Sequence, residues 1–159
     1  MENAMTVAGV TFANPDGTQR QDILKHFGNE CFITVNLIKQ TFSNAKTGEN
    51  EPAIACIEKV TKQQLGFISR NDLNRPEVTN VRQLTGQVRC FQNENNQTTF
   101  YCEIAPVQAP DSEMYANMKK LCAANNLTLP AYDVRAYEQF ITWFENRQAT
   151  ATVTANSRK

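Results

Sequence analysis

The side chains able to do covalent or metal chemistry are few in this chain and stand apart from one another. His26 is the single histidine, and the five cysteines are Cys31, Cys56, Cys90, Cys102 and Cys122, none within four residues of the next. No CxxC pair exists, so a zinc site has nothing to build on. A catalytic His26 needs a nucleophile or an acid beside it, and no motif supplies one. Its place near the end of a predicted helix suits a charged imidazole facing the helix dipole. The carboxylates are scattered, with no pair recognisable for general acid–base work. Gly66 and Gly86 are isolated, so no glycine-rich phosphate loop is present. These residues predict a non-enzymatic protein with no metal and no cofactor.

Composition narrows the partners. The chain has 159 residues with 16 basic and 16 acidic side chains, and its formal net charge is zero. That balance argues against indiscriminate binding along a nucleic-acid backbone, which draws on excess positive charge and counterion release. It leaves room for a local pocket that grips one or two nucleotides. The odd cysteine count, with four of the five inside strand-like runs, predicts buried reduced thiols and a cytoplasmic protein. No basic and apolar leader opens the sequence, and no apolar run reaches the ~18 residues of a membrane span.

The elements that must position any site follow from periodicity. Strands are predicted over Met5–Phe12, Cys31–Ile38, Ala53–Val60, Leu65–Ile68, Leu84–Phe91 and Thr98–Pro106. Asn14-Pro15-Asp16-Gly17 is a strong turn signal. Thr18 or Asp22 is placed to cap a short helix through Phe27 that presents Ile23, Leu24 and Phe27 on one face. The polar segment Ser43–Pro52 reads as a loop, and Ser69–Val81 as a loop with one helical turn. Leu84, Gly86, Val88 and Cys90 share a face, as do Phe100, Cys102 and Ile104, and Asn93–Asn96 turns one strand into the next. After the proline-containing linker Pro106–Ser112, Asp111 or Ser112 caps a helix to about Asn125. Asp133 caps a second helix through about Arg147. Three regions result: a β domain over 1–108, a helical extension over 109–147, and a tail over 148–159 whose composition predicts disorder.

Two blocks carry a family resemblance. The first is Val7-Ala8-Gly9-Val10-Thr11-Phe12 followed by Asn14-Pro15-Asp16-Gly17-Thr18-Gln19-Arg20-Gln21-Asp22-Ile23-Leu24. The second is Ala53-Ile54-Ala55-Cys56-Ile57 followed by Leu65-Gly66-Phe67-Ile68-Ser69-Arg70. In this order they resemble the HIRAN domain, over roughly residues 6 to 106. The resemblance implies an α+β, mainly β fold, a small OB-like or SH3-like six-stranded β-barrel, here followed by two C-terminal helices. It implies a stand-alone bacterial or phage relative of domains that bind the free 3′ end of single-stranded DNA in DNA repair and processing. By position, the resemblance assigns Phe12 to base stacking, Phe67 to the same groove and Arg70 to a phosphate. Arg20 and Asn50 join them as DNA-binding candidates. Thr11 stands where DNA-binding members carry a basic residue. Across Thr47–Ala53, Glu49 replaces the family's aromatic and Asn50 replaces its acid.

Each candidate also has a plainer reading. Phe12 and Phe67 are stacking platforms or core residues of strands. Arg20 and Gln21 are groove contacts or helix-start donors bonded to loop carbonyls. Arg70 is a phosphate contact or a solvated charge. The C-terminal helices pack on the barrel or present an apolar face to a protein partner or a second copy. The alternative function is accordingly a protein-interaction module that keeps the barrel and has lost the DNA pocket.

Overall fold

The computed structural model describes Met1 and residues 3–157. The chain divides into two compact units, Met1–Val107 and a second that begins at Gln108. Among the described residues the first unit holds six strands: β1 (Met5–Ala8), β2 (Phe32–Ser43), β3 (Asn50–Glu58), β4 (Gln64–Ile68), β5 (Gln83–Gln92) and β6 (Thr98–Ala105). It also holds two helices, α1 (Arg20–Phe27) and the single turn α2 (Pro76–Thr79), and a 3₁₀ turn over Arg70–Asp72. The six strands form one antiparallel sheet in the order β1-β4-β3-β2-β5-β6, which closes on itself in a ring. The protein is therefore an α+β protein with a closed six-stranded sheet.

Alternation builds the core. Met5 and Val7 on β1, Ile33 and Val35 on β2, Leu84 and Val88 on β5, and Cys102 and Ile104 on β6 are buried in one cluster. The expected hairpin β5–β6 forms, with Val88 opposite Cys102 and Gly86 opposite Ile104. Helix α1 adds Ile23 and the fully buried Leu24 to this cluster. Burying a side chain such as Leu24 contributes about 1.5–3 kcal/mol. The ring closes where β1 meets both ends of the sheet, Val7 opposite Ile68 and Met5 opposite Ile104.

One irregularity bears on function. On β3, Cys56 pairs with Gly66 while the next residue, Ile57, pairs with Gln64, so Leu65 is an extra residue in β4. This bulge lets both Leu65 and Ile68 enter the core, although strict alternation would put them on opposite faces. Phe67, between Gly66 and Ile68, is only half-buried and stands opposite Ala8 on the outer surface.

Several boundaries differ from the sequence expectation. β1 stops at Ala8 rather than Phe12, because the chain turns at Gly9, whose carbonyl accepts the Phe12 N–H at 3.2 Å. Neither Thr18 nor Asp22 caps α1. Gln19 occupies the N-cap without a side-chain bond, and the Thr18 N–H and hydroxyl donate instead to Asp16 Oδ1. The segment read as a loop over Ser43–Pro52 shrinks to residues 44–49, because β2 and β3 continue as a ribbon with Ser43 opposite Asn50 and Thr41 opposite Pro52. Backbone pairing in a ribbon with solvent on both faces does not require apolar side chains. The β3–β4 turn is held by buried Glu58, which accepts from the Val60 and Thr61 N–H groups at 3.0 and 2.6 Å and from the Thr61 hydroxyl at 2.6 Å.

The second unit has α3 (Ser112–Ala124) and α4 (Val134–Ser157). Asp111 caps α3 as expected, its Oδ1 accepting from the Met114 N–H at 2.7 Å. Buried Asp133 opens α4, accepting from the Arg135 N–H at 2.8 Å and from the Gln108 N–H at 2.9 Å. Met118, Cys122 and Tyr137 form this unit's core. Helix α4 runs to Ser157, ten residues past the expected end at Arg147, and so occupies most of the segment expected to be disordered. No glycine or proline follows Pro130, so nothing in the sequence stops the helix. Arg158 and Lys159, the last residues of that expected tail, lie outside the described residues. No helix among the described residues is long and apolar enough to cross a membrane.

Candidate nucleic-acid interface

A cleft of about 780 Å³ opens beside β1 and β4. Its lining includes Ala8, Gly9, Phe12, Arg20, Pro52, Ala53, Phe67, Arg70 and Leu73. Four of the five residues singled out from the sequence, Phe12, Arg20, Phe67 and Arg70, therefore converge on one cavity. Asn50 does not line it. Asn50 is exposed at the start of β3, opposite Ser43 in the ribbon.

Phe12 is not a core residue. It lies beyond the end of β1 and is 68% exposed, as a large ring held out to solvent in a turn. The outward position of Phe67 follows from the bulge in β4. The two aromatic side chains thus supply apolar faces to the same cleft, one from an exposed turn and one from the sheet.

Arg20 is the organising cation. It is 5% exposed, at the first position of α1. Its Nε donates to Asn14 Oδ1 at 2.8 Å and its Nη1 donates to the Gly9 carbonyl at 2.8 Å. The guanidinium carbon stands 5.3 Å from the centre of the Phe67 ring, within cation–π range. Asn14 is itself 8% exposed and ties the assembly to β4, donating through Nδ2 to the Gln64 carbonyl at 3.0 Å. Gln21, the next residue, ties the turn after β1 to β6. Its Nε2 donates to the Val10 and Phe100 carbonyls at 3.0 and 2.8 Å, and its Oε1 accepts the Phe100 N–H at 2.8 Å. The reading of Arg20 and Gln21 as donors to loop carbonyls is right for both. Arg20 in addition lines the cleft.

The electrostatics of Arg20 are unusual for a buried charge. Among the described residues no carboxylate pairs with it, and its bonds go to neutral oxygens and a ring face. Burial accordingly pulls its pKa below the ordinary arginine value, with no opposing contribution from an acid. Arginine nonetheless stays protonated. A buried cation without a counter-charge is costly unless something anionic meets it. Arg70 differs. Its side chain is 70% exposed and its Nη2 is bonded to Glu51 Oε2 at 2.5 Å.

Among the described residues that line the cleft there is no histidine or cysteine. Among the described residues no group of His, Cys, Asp and Glu is arranged to hold a metal ion. The cysteines of the first unit lie elsewhere, and burial pushes the Cys56 thiol up to about 12, out of the reactive range. Sequence reading missed Asn14, which orients Arg20, and the walls formed by Pro52, Ala53 and Leu73. Asn14 carries a turn signal alone, and nothing in its spacing from Arg20 announces a side-chain bond. Comparison with protein-family models, with curated proteins and with solved structures found no match.

Proposed function

We propose that this protein is a non-enzymatic nucleic-acid-binding module, a HIRAN-like domain with an OB-like or SH3-like barrel that holds the end of a single DNA strand. The observation that carries this reading is buried Arg20, without a carboxylate partner, in a cleft that also offers the faces of Phe12 and Phe67. A nucleotide supplies both complements, a flat base for the rings and a phosphate for the cation. Stacking is worth about 1–3 kcal/mol per base and tolerates any sequence. The cleft has few cations, so few phosphates are neutralised. A zero net charge fits a protein that takes hold of one end rather than coating a strand.

Phe12→Ala is expected to weaken binding of a short labelled single strand by roughly 5- to 150-fold, the loss of one stacked base. Its thermal stability should change little, because the ring contributes little to the core. Fluorescence anisotropy with melting curves on the same samples checks both halves. The salt dependence should be shallow, log K falling by only about 0.7 for each neutralised phosphate of a single strand. A steep slope with no effect of Phe12→Ala points to loose backbone attraction and overturns the reading.

A second reading makes the protein an interaction module acting through its C-terminal helices. It is favoured by the exposure of Trp143 (48%) and Tyr132 (45%) in the second unit, since large aromatics are enriched at interfaces. Light scattering separates it. A mass that rises with concentration in the wild type, and not in Trp143→Glu, supports self-association through α4. A concentration-independent monomer mass counts against it.

A further inference from the structure

Glu51 stands at the rim of the cleft with both carboxylate oxygens engaged. Oε2 accepts from Arg70 Nη2 at 2.5 Å, and Oε1 accepts from Asn44 Nδ2 at 3.1 Å. Asn44 in turn organises the end of the β2–β3 ribbon. Its N–H donates to the Glu49 carbonyl at 2.9 Å and its carbonyl accepts the Gly48 N–H at 2.8 Å. The carboxylate therefore joins the β2–β3 ribbon to the 3₁₀ turn. Among the described residues Arg70 is the only exposed arginine in the cleft lining, and the free protein spends its charge on this internal acid.

We propose that Glu51 is an internal competitor for the anion-binding edge of Arg70. A phosphate that takes Arg70 must displace the carboxylate or share the cation with it. Arg20, which has no acid beside it, then makes the primary phosphate contact, and Arg70 adds a second that Glu51 attenuates. The inference rests on the nucleic-acid reading of the cleft and adds to it a residue that sets affinity and selects for ligands with few phosphates. The chemistry is electrostatic. Two negative groups around one exposed guanidinium repel each other at contact distance.

Glu51→Gln tests it without disturbing the fold, because the amide is isosteric and its oxygen still accepts from Asn44. The assay is anisotropy of a short labelled oligothymidylate in a salt series. The four chains are the wild type, Glu51→Gln, Arg70→Ala and the double variant. Glu51→Gln should bind about two- to five-fold tighter than the wild type, the range expected for one exposed ion pair. Its slope of log K against log salt should steepen by about 0.7, one further phosphate contact. In the Arg70→Ala background the same substitution should change neither quantity. Equal tightening in both backgrounds means that only overall charge changed, and it overturns the competition while leaving the cleft reading intact. An unchanged affinity in Glu51→Gln overturns it in the same way. Absence of binding in all four chains overturns the nucleic-acid reading and this inference together.

Discussion

Gly66→Ala is expected to abolish the native fold of the first unit or to destabilise it by about 4 kcal/mol or more, the range reserved for severe steric conflict. A Cβ at this position would lie 2.2 Å from the Ala8 carbonyl oxygen and 2.8 Å from Val7 Cγ1. Neither can move aside cheaply, because Val7 and Ala8 are the residues through which β1 pairs with β4 and closes the ring. The backbone there has φ of 154°, in the region that favours glycine. The damage reaches the site as well. Gly66 sits at the bulge that turns Phe67 outward beside Ala8, so any repacking of this crossing displaces one wall of the cleft. Urea unfolding followed by circular dichroism checks the expectation, with Gly17→Ala as the control. Gly17 also has positive φ, but nothing lies within 4 Å of its Cβ position, so its replacement should cost only about 1–2 kcal/mol. Equal effects at the two positions would contradict this account of ring closure.

Arg20→Ala is expected to act on stability and binding at once. Two hydrogen bonds from a charged donor, to Asn14 and Gly9, are lost together with the contact to the Phe67 ring. The substitution also leaves Asn14 Oδ1 without its partner. Relief of an unpaired buried charge opposes these losses. Bonds to charged groups contribute about 1.5–3 kcal/mol each and the ring contact about 1 kcal/mol, so the net loss should be about 2–3 kcal/mol. Arg20→Lys keeps the charge, but a single ammonium cannot reproduce a fork that reaches Asn14 and Gly9 while lying on a ring. The informative readout is the melting temperature with and without a short single-stranded oligonucleotide. A ligand that binds the native state raises it by mass action. The wild type should be stabilised, and Arg20→Ala and Arg20→Lys should be stabilised less or not at all. Equal ligand-induced stabilisation of all three would show that Arg20 is a structural cation alone.

The contrast between Arg20 and Phe12 shows what a sequence can and cannot reveal here. Alternation along β5 and β6 is written in Leu84, Gly86, Val88, Cys102 and Ile104, and the observed pairing keeps these residues on one face. Ring closure is not legible in this way, because it pairs Met5 and Val7 with residues far along the chain. The Val-x-Gly-Val-Thr-Phe run reads as a single strand, yet the turn at Gly9 takes Phe12 out of the sheet and into solvent. Arg20 looks like an ordinary charge at a helix start. Its burial arises only when the turn at Asn14, the end of β1 and the outward face of β4 meet around it. Asn50 was placed at the site by its position in a motif, whereas the ribbon β2–β3 keeps it away from the cleft lining. The same ribbon, hidden in a polar segment, brings Glu51 to Arg70. Short-range pattern thus locates elements, and the closure of the sheet decides which of their residues share a site.

The measurement that bears most directly on the central claim is the binding of the wild type to short single-stranded DNAs by fluorescence anisotropy. The set should compare a free 3′-hydroxyl, a 3′-phosphate and a free 5′ end. The account predicts saturable binding that depends on a free 3′ end and is lost in Arg20→Ala. Absence of binding to every strand at concentrations on the order of 10–100 µM, where even non-specific complexes form, would contradict it.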